Sequence, residues 1–149
     1  MVNENIIRFF ASILSPEQLA HILISAIVNG GNLDIVKYLI EQCHCDINIK
    51  IKGFSALHWA TSAKRLEIVK YFVKQCHCKV DVKDEEEATA LHLASQQKGC
   101  SGIVKYLVEK CHCKVNAKCE QGCTPLYYAS QKGHLEVVKC LVEKGCCDG

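Results

Sequence analysis

The chain repeats itself with a period near 34 residues, and this periodicity restricts the fold more than any other feature. Ile35-Val36-Lys37-Tyr38 recurs as Ile68-Val69-Lys70-Tyr71, Ile103-Val104-Lys105-Tyr106 and Val137-Val138-Lys139-Cys140, at steps of 33, 35 and 34 residues. Ala56-Leu57-His58 recurs as Ala90-Leu91-His92 and Pro125-Leu126-Tyr127. Cys43-His44-Cys45 recurs as Cys76-His77-Cys78 and Cys111-His112-Cys113. Where the steps differ, the length changes fall in turns. The spacing from Ala94 to Ile103 places one extra residue in the turn at 96–102, and the spacing from Cys45 to Ala56 leaves the segment entering the second unit one residue short. A stack of helical pairs tolerates indels at such places and not inside its helices.

Each unit reads as helix, turn, helix, loop. In the second helix, Ile35, Val36, Leu39 and Ile40 share the i, i+1, i+4, i+5 spacing of one helical face. The same face recurs at Ile68, Val69, Phe72 and Val73, at Ile103, Val104, Leu107 and Val108, and at Val137, Val138, Leu141 and Val142. Asp34/Lys37, Glu67/Lys70 and Glu136/Lys139 sit three apart and are expected to pair toward solvent. The first helices, at 56–63, 90–97 and 125–132, are short and rich in alanine, which lets neighbours approach closely. Ser55, Thr89 and Thr124 occupy the N-cap position, and Pro125 suits a first turn. Neither helix can bury its face alone. Stacking solves this, so an all-α solenoid of helix-turn-helix units is expected.

Composition agrees. Apolar residues make up 49% of the 149 positions, enough for a core, and the net charge of +2 marks neither a nucleic-acid binder nor an acidic tail. No apolar run reaches the ~20 residues of a membrane helix. The N-terminus lacks a basic start and carries Glu4 and Arg8, so it makes a poor signal peptide. Twelve cysteines would suit a disulfide framework in a secreted chain. With Leu, Ile and Val already supplying a core, they are read as free thiols of a cytoplasmic, reducing compartment. A monomer is expected.

The fourth unit, Gly122-Cys123-Thr124-Pro125-Leu126-Tyr127-Tyr128-Ala129 followed by Gly133-His134-Leu135-Glu136-Val137-Val138, resembles the ankyrin repeat. Ser55-Ala56-Leu57-His58-Trp59-Ala60 and Thr89-Ala90-Leu91-His92-Leu93-Ala94 match its first motif, and Gly31-Asn32-Leu33-Asp34-Ile35-Val36 its second. The resemblance covers roughly residues 15–147. It implies antiparallel helix pairs joined by β-hairpin-like finger loops, a protein-binding concave face, and His58 and His92 bridging neighbouring loops. The array is divided at 15–48, 49–81, 82–116 and 117–149, behind a short N-terminal helix or cap at 1–14.

There are departures from the family pattern. Cys-His-Cys replaces the helix-ending Gly-Ala in the first three units, which lengthens the period from the family's value of about 33. The finger glycine, present at Gly53 and Gly122, is Glu87 in the third unit, and the inter-helix glycine is Lys64 in the second. A distorted third-unit finger is therefore expected. The first unit opens instead on a capping box, Ser15-Pro16-Glu17-Gln18, with a helix running to about Val28. Ile6, Phe9, Phe10 and Ile13 share a face that would cover the end of the stack.

Cys and His are zinc ligands, but one Cys-His-Cys triplet is too short to wrap an ion. Triplets in successive repeats would lie roughly 10 Å apart, the helix-packing distance. The preferred reading makes Cys45, Cys78, Cys113 and Cys147 small core residues and the histidines loop residues. No metal, cofactor or catalytic residue is assigned, and the chain is read as a non-enzyme, since no Ser-His-Asp order, HExxH, P-loop or GxGxxG occurs. The lysine ladders Lys37/Lys70/Lys105/Lys139 and Lys50/Lys83/Lys118 read as solvated surface and not as a nucleic-acid stripe.

The expected role is a protein-interaction module. The alternatives are a structural repeat segment of a larger protein and a metal- or redox-responsive Cys/His scaffold. From the family's variable positions, Lys52, Phe54, Asp84, Glu85, Glu86, Glu120 and Gln121 are the finger candidates. Trp59, Ser62, Gln96, Tyr128 and Gln131 are the inner-helix candidates. Trp59 and Tyr128 are either hot-spot aromatics or packing between repeats.

Overall fold

The computed structural model describes residue 9 and residues 12–148, with backbone alone at 146–148. Among these residues the regular elements are helical. They are α1 (Pro16–Ser25), which runs on into a wider π-type turn (Ala26–Gly30), α2 (Leu33–Glu41), α3 (Ala56–Ser62), α4 (Leu66–Lys74), α5 (Ala90–Gln96), α6 (Ser101–Lys110), α7 (Pro125–Lys132) and α8 (Leu135–Asp148). They form two layers. The short helices α3, α5 and α7 pack in series behind the π turn, and α2, α4, α6 and α8 pack in series beside them. The all-α repeat architecture expected from the periodicity is the one observed.

Local chemistry starts the helices where the sequence places them. Ser15 Oγ accepts from the Gln18 amide at 3.1 Å and Gln18 Oε1 accepts from the Ser15 amide at 2.8 Å, a complete capping box. Ser55, Thr89 and Thr124 accept from the amides of His58, His92 and Tyr127. Small residues then set the spacing: Ala60, Ala94 and Ala129 are fully buried where the short helices meet. The extra residue of the third unit falls in the turn, where 97–100 join α5 to α6 while 63–65 join α3 to α4.

Stacking, not periodicity, decides which apolar residues are covered. Ile68 and Ile103 are 1% and 3% exposed, but Ile35, their equivalent in the first pair, is 48% exposed. Val108 is 5% exposed and Val142, its equivalent in the last pair, 44%. The i position faces the preceding unit and the i+5 position the following one. At the N-terminal end, Ile6 and Phe10 lie outside the described residues, while Phe9 and Ile13 face solvent, so these two do not cover the stack. Leu14 packs against the core instead.

The outer lysines also depart from expectation. Lys70 pairs with Glu67 at 3.6 Å and Lys139 with Glu136 at 3.9 Å. Lys37 reaches forward instead, placing its ammonium 5.6 Å from the centre of the Tyr71 ring, and Lys70 lies over Tyr106 in the same way. The Val-Lys-Tyr repeat is thus a ladder of lysines on the next unit's tyrosine. It ends at Lys105, because the following unit carries Cys140 there.

Each Cys-His-Cys triplet ends a helix. His44, His77 and His112 adopt left-handed backbone (φ 56, 52 and 52) and are exposed. The Cys45 amide reaches back to the Leu39 carbonyl and the Cys78 amide to Phe72, both at 3.1 Å. The flanking thiols turn toward the core, where Cys43, Cys45 and Cys113 are buried. Histidine tolerates this conformation better than most side chains, yet glycine tolerates it best. Replacing His44, His77 or His112 with Gly should therefore stabilise the protein by about 0.5–1 kcal/mol each, read as a rise in the urea midpoint. A fall in the midpoint would mean that the imidazole makes contacts of its own.

Candidate protein-interaction face

The fingers are tight turns closed by backbone hydrogen bonds. In the second unit, the Ile51 and Phe54 amides and carbonyls bond reciprocally at 2.9 and 3.0 Å. Both central residues, Lys52 (φ 53) and Gly53 (φ 81), are left-handed, so the missing residue converts this finger into a two-residue turn. A Cβ on Gly53 would meet the Glu85 side chain at 2.6 Å, so a larger residue there would strain the left-handed backbone and push Glu85 aside. The third- and fourth-unit fingers are one residue longer and alike. Asp84 N bonds to Ala88 O and Glu87 N to Asp84 O; Cys119 N bonds to Cys123 O and Gly122 N to Cys119 O. Glu87 (φ 60) takes the conformation that Gly122 takes (φ 81). The third-unit finger is therefore not distorted as expected: it keeps its geometry with a non-glycine residue held in the left-handed region. Asp84 helps to hold it there, its Oδ1 accepting from the amides of Glu86 and Ala88 at 2.8 and 2.9 Å.

Two buried histidines lock successive fingers to the helices. His58 Nδ1 lies 2.7 Å from Ser55 Oγ and accepts from the Ser55 amide, and its Nε2 lies 3.0 Å from the Ala88 carbonyl in the next finger. His92 repeats this with Thr89 and the Cys123 carbonyl. Nε2 therefore donates and Nδ1 accepts, and each imidazole is neutral. Burial holds both below the ordinary histidine pKa, against the pull of the carbonyl each one meets. In the fourth unit Tyr127 takes the equivalent position and is exposed.

Seven of the twelve residues expected to contact a partner line one open cavity of about 240 Å³. The fingers contribute Lys52, Phe54, Asp84, Glu85 and Glu86, and the inner helices contribute Gln96 and Tyr128. Gln121 joins its edge, accepting from the Tyr128 hydroxyl at 3.5 Å, and the Glu120 amide bonds to the Glu86 carbonyl at 2.8 Å. Trp59 lies apart. Its indole N–H donates to the Ile51 carbonyl at 3.3 Å and its ring meets Phe54 edge-on, so it braces its own finger. Ser62, half-buried, and Gln131, exposed, do not line the cavity. Ala88, Leu93 and Cys119 line it as well. Leu93 could have been found, because it holds the same register as Trp59 and Tyr128; an apolar residue on a helix reads first as core.

Among the described residues the ion pairs are Lys70–Glu67 and Lys139–Glu136, so none engages the finger carboxylates. Among the described residues, no three His, Cys, Asp or Glu side chains gather as a metal-holding group, and no helix is long and apolar enough to cross a membrane. Burial pushes the Cys45 thiol up to about 11 and the Cys78 thiol up to about 12, which suits core packing. The side chain of Cys147 lies outside the described residues.

No curated protein matches the chain. A family model for ankyrin repeats (3 copies) matches residues 3–84 and 72–148. With buried alanines between short helices, histidines tying the third- and fourth-unit fingers to the helix before them, and a family match along nearly its whole length, the chain belongs to the ankyrin-repeat family.

Proposed function

We propose that this protein captures a partner protein on the face formed by its fingers and short helices. Ankyrin repeats are generally protein–protein interaction modules, and the family is typically non-enzymatic. The observation that carries the reading to this face is the cavity, in which Phe54, Leu93 and Tyr128 lie beside the carboxylates of Glu85 and Glu86. Aromatic side chains in a depression, ringed by charge, are what binding hot spots are made of. The carboxylates have no ion-pair partner within the described chain, so their charge is available to another molecule. A partner segment with a basic residue next to an apolar one matches this chemistry.

The test is a quantitative pull-down from native lysate with tagged protein. Tyr128→Ala combined with Glu85→Lys and Glu86→Lys should lower capture of the principal partner about thirtyfold, the effect of one hot spot. Lys105→Ala, on the opposite layer, should leave it unchanged. Equal capture by the groove variant, with its helix content intact, would overturn this assignment of the face.

A further inference from the structure

We propose that Cys119 and Cys123 are a redox-active thiol pair, which a small-molecule disulfide converts into an intramolecular disulfide closing the fourth-unit finger. The proposal needs only these two thiols and does not depend on the partner-binding reading.

The first support is a comparison within the molecule. Cys119 stands where the preceding finger has Asp84. The carboxylate of Asp84 accepts from the amides two and four residues on, Glu86 and Ala88. The finger of Cys119 closes with the same two backbone bonds as that of Asp84, which sets the amides of Gln121 and Cys123 on the side of the Cys119 sulfur, while the thiol itself points to Gln121 Oε1 at 3.8 Å. A backbone arrangement that holds a carboxylate in one finger thus holds a thiol in the next, and it favours the thiolate. The Tyr128 hydroxyl lies 3.4 Å from Cys119 Sγ and 3.5 Å from Gln121 Oε1, so its single proton turns to the sulfur when the thiol ionises. These donors bring the Cys119 pKa below its ordinary value despite burial. Loss of water around Cys45, Cys78, Cys100 and Cys140 takes them the other way.

The second support is position. Cys119 and Cys123 face each other across the finger, the Cys119 amide bonding to the Cys123 carbonyl at 3.0 Å. A disulfide accepts Cα atoms about 4.4–6.8 Å apart, and a backbone hydrogen bond across a tight turn brings its two residues to close range.

Cys123 is half-buried and Cys119 is buried, so the external disulfide meets Cys123 first. The Cys123 thiolate attacks RS–SR, forming a mixed disulfide and releasing one RS⁻, which takes up a proton to become RSH. The Cys119 thiolate then attacks the Cys123 sulfur and expels the second RS⁻. Overall, one RS–SR is reduced to two RSH, and two protein thiols are oxidised to one disulfide. Closure withdraws Cys119 from Tyr128, a residue that lines the finger cavity.

The experiment equilibrates the folded protein in glutathione buffers of graded ratio, alkylates free thiols and digests with trypsin. Cleavage after Lys118 and Lys132 isolates these two cysteines in one peptide. That peptide should appear unalkylated and two hydrogens lighter at an oxidised-to-reduced ratio about tenfold below that needed to oxidise any other cysteine. Cys119→Ser should leave glutathione trapped on Cys123. Tyr128→Phe should slow closure near pH 7 and recover toward the parent rate near pH 9, where the thiolate forms unaided. Doubly alkylated peptide while other cysteines oxidise, or glutathione on each thiol without closure, would overturn the proposal. An unchanged pH profile in Tyr128→Phe would remove Tyr128 from the step.

Discussion

Phe72→Ala should cost about 3–5 kcal/mol of stability, the largest loss expected of any single truncation in this core. Phe72 is wholly buried in α4, the long helix that packs against both α2 and α6. Its ring belongs to the continuous buried core of the stack, and its own carbonyl anchors the Cys78 amide at the end of the same helix. Removing the ring leaves a cavity in the middle of the stack, where neither side can relax inward. Domains of this kind have about 5–15 kcal/mol in total, so the variant should be partly unfolded at room temperature. Phe72→Leu keeps most of the volume and matches Leu39, Leu107 and Leu141 at the equivalent positions. It should lose about 1 kcal/mol and remain measurable. Urea unfolding followed by circular dichroism distinguishes the two. A loss below about 1 kcal/mol for alanine would mean that the centre of the stack repacks freely.

His92→Ala should cost about 2–4 kcal/mol and loosen the coupling between the third and fourth units. The side chain is fully buried, and its loss strands the Thr89 amide and the Cys123 carbonyl. Buried polar groups without partners cost about 1–3 kcal/mol each, and the cavity adds to that. Unfolding should become broader, with the C-terminal helices melting first. The same residue sets a pH dependence. His92 and His58 have folded pKa values below the unfolded value of about 6.5, so the unfolded chain binds more protons as pH falls through that range. Their contribution is complete above about pH 6.5 and is lost on acidification toward the folded pKa. In His92→Ala the slope of stability against pH below about 6.5 should be shallower. A steeper slope, or a parent protein that gains stability on mild acidification, would contradict the neutral, bridging imidazole.

Short-range interactions are legible in the residues themselves, and long-range ones are not. Helix starts were legible because a cap is a contact over three residues: Ser15, Ser55, Thr89 and Thr124 each bond within their own turn. The buried faces of α4 and α6 were legible because helical periodicity is local. The candidate face was legible in part. Lys52, Phe54, Glu85, Glu86 and Tyr128 meet in one cavity, whereas Trp59, which holds the same register as Tyr128, braces its own finger. The third-unit finger looked vulnerable for want of a glycine, yet the Asp84 carboxylate secures it with two backbone bonds.

The recurring Ile-Val-Lys-Tyr determined the order of the helix pairs and the family, and the Ser and Thr caps determined where helices start. Each of those follows from interactions within one unit of about 34 residues. Only the tertiary structure decided what lies beside each unit. It sent Lys37 to the Tyr71 ring and left Ile35 and Val142 in solvent while burying Ile68, Ile103 and Val108. It also set Cys119 beside amides equivalent to those that hold a carboxylate in the preceding finger. Identical motifs acquire different roles here because burial and charge depend on neighbours about 34 residues away, and a motif does not encode its neighbours.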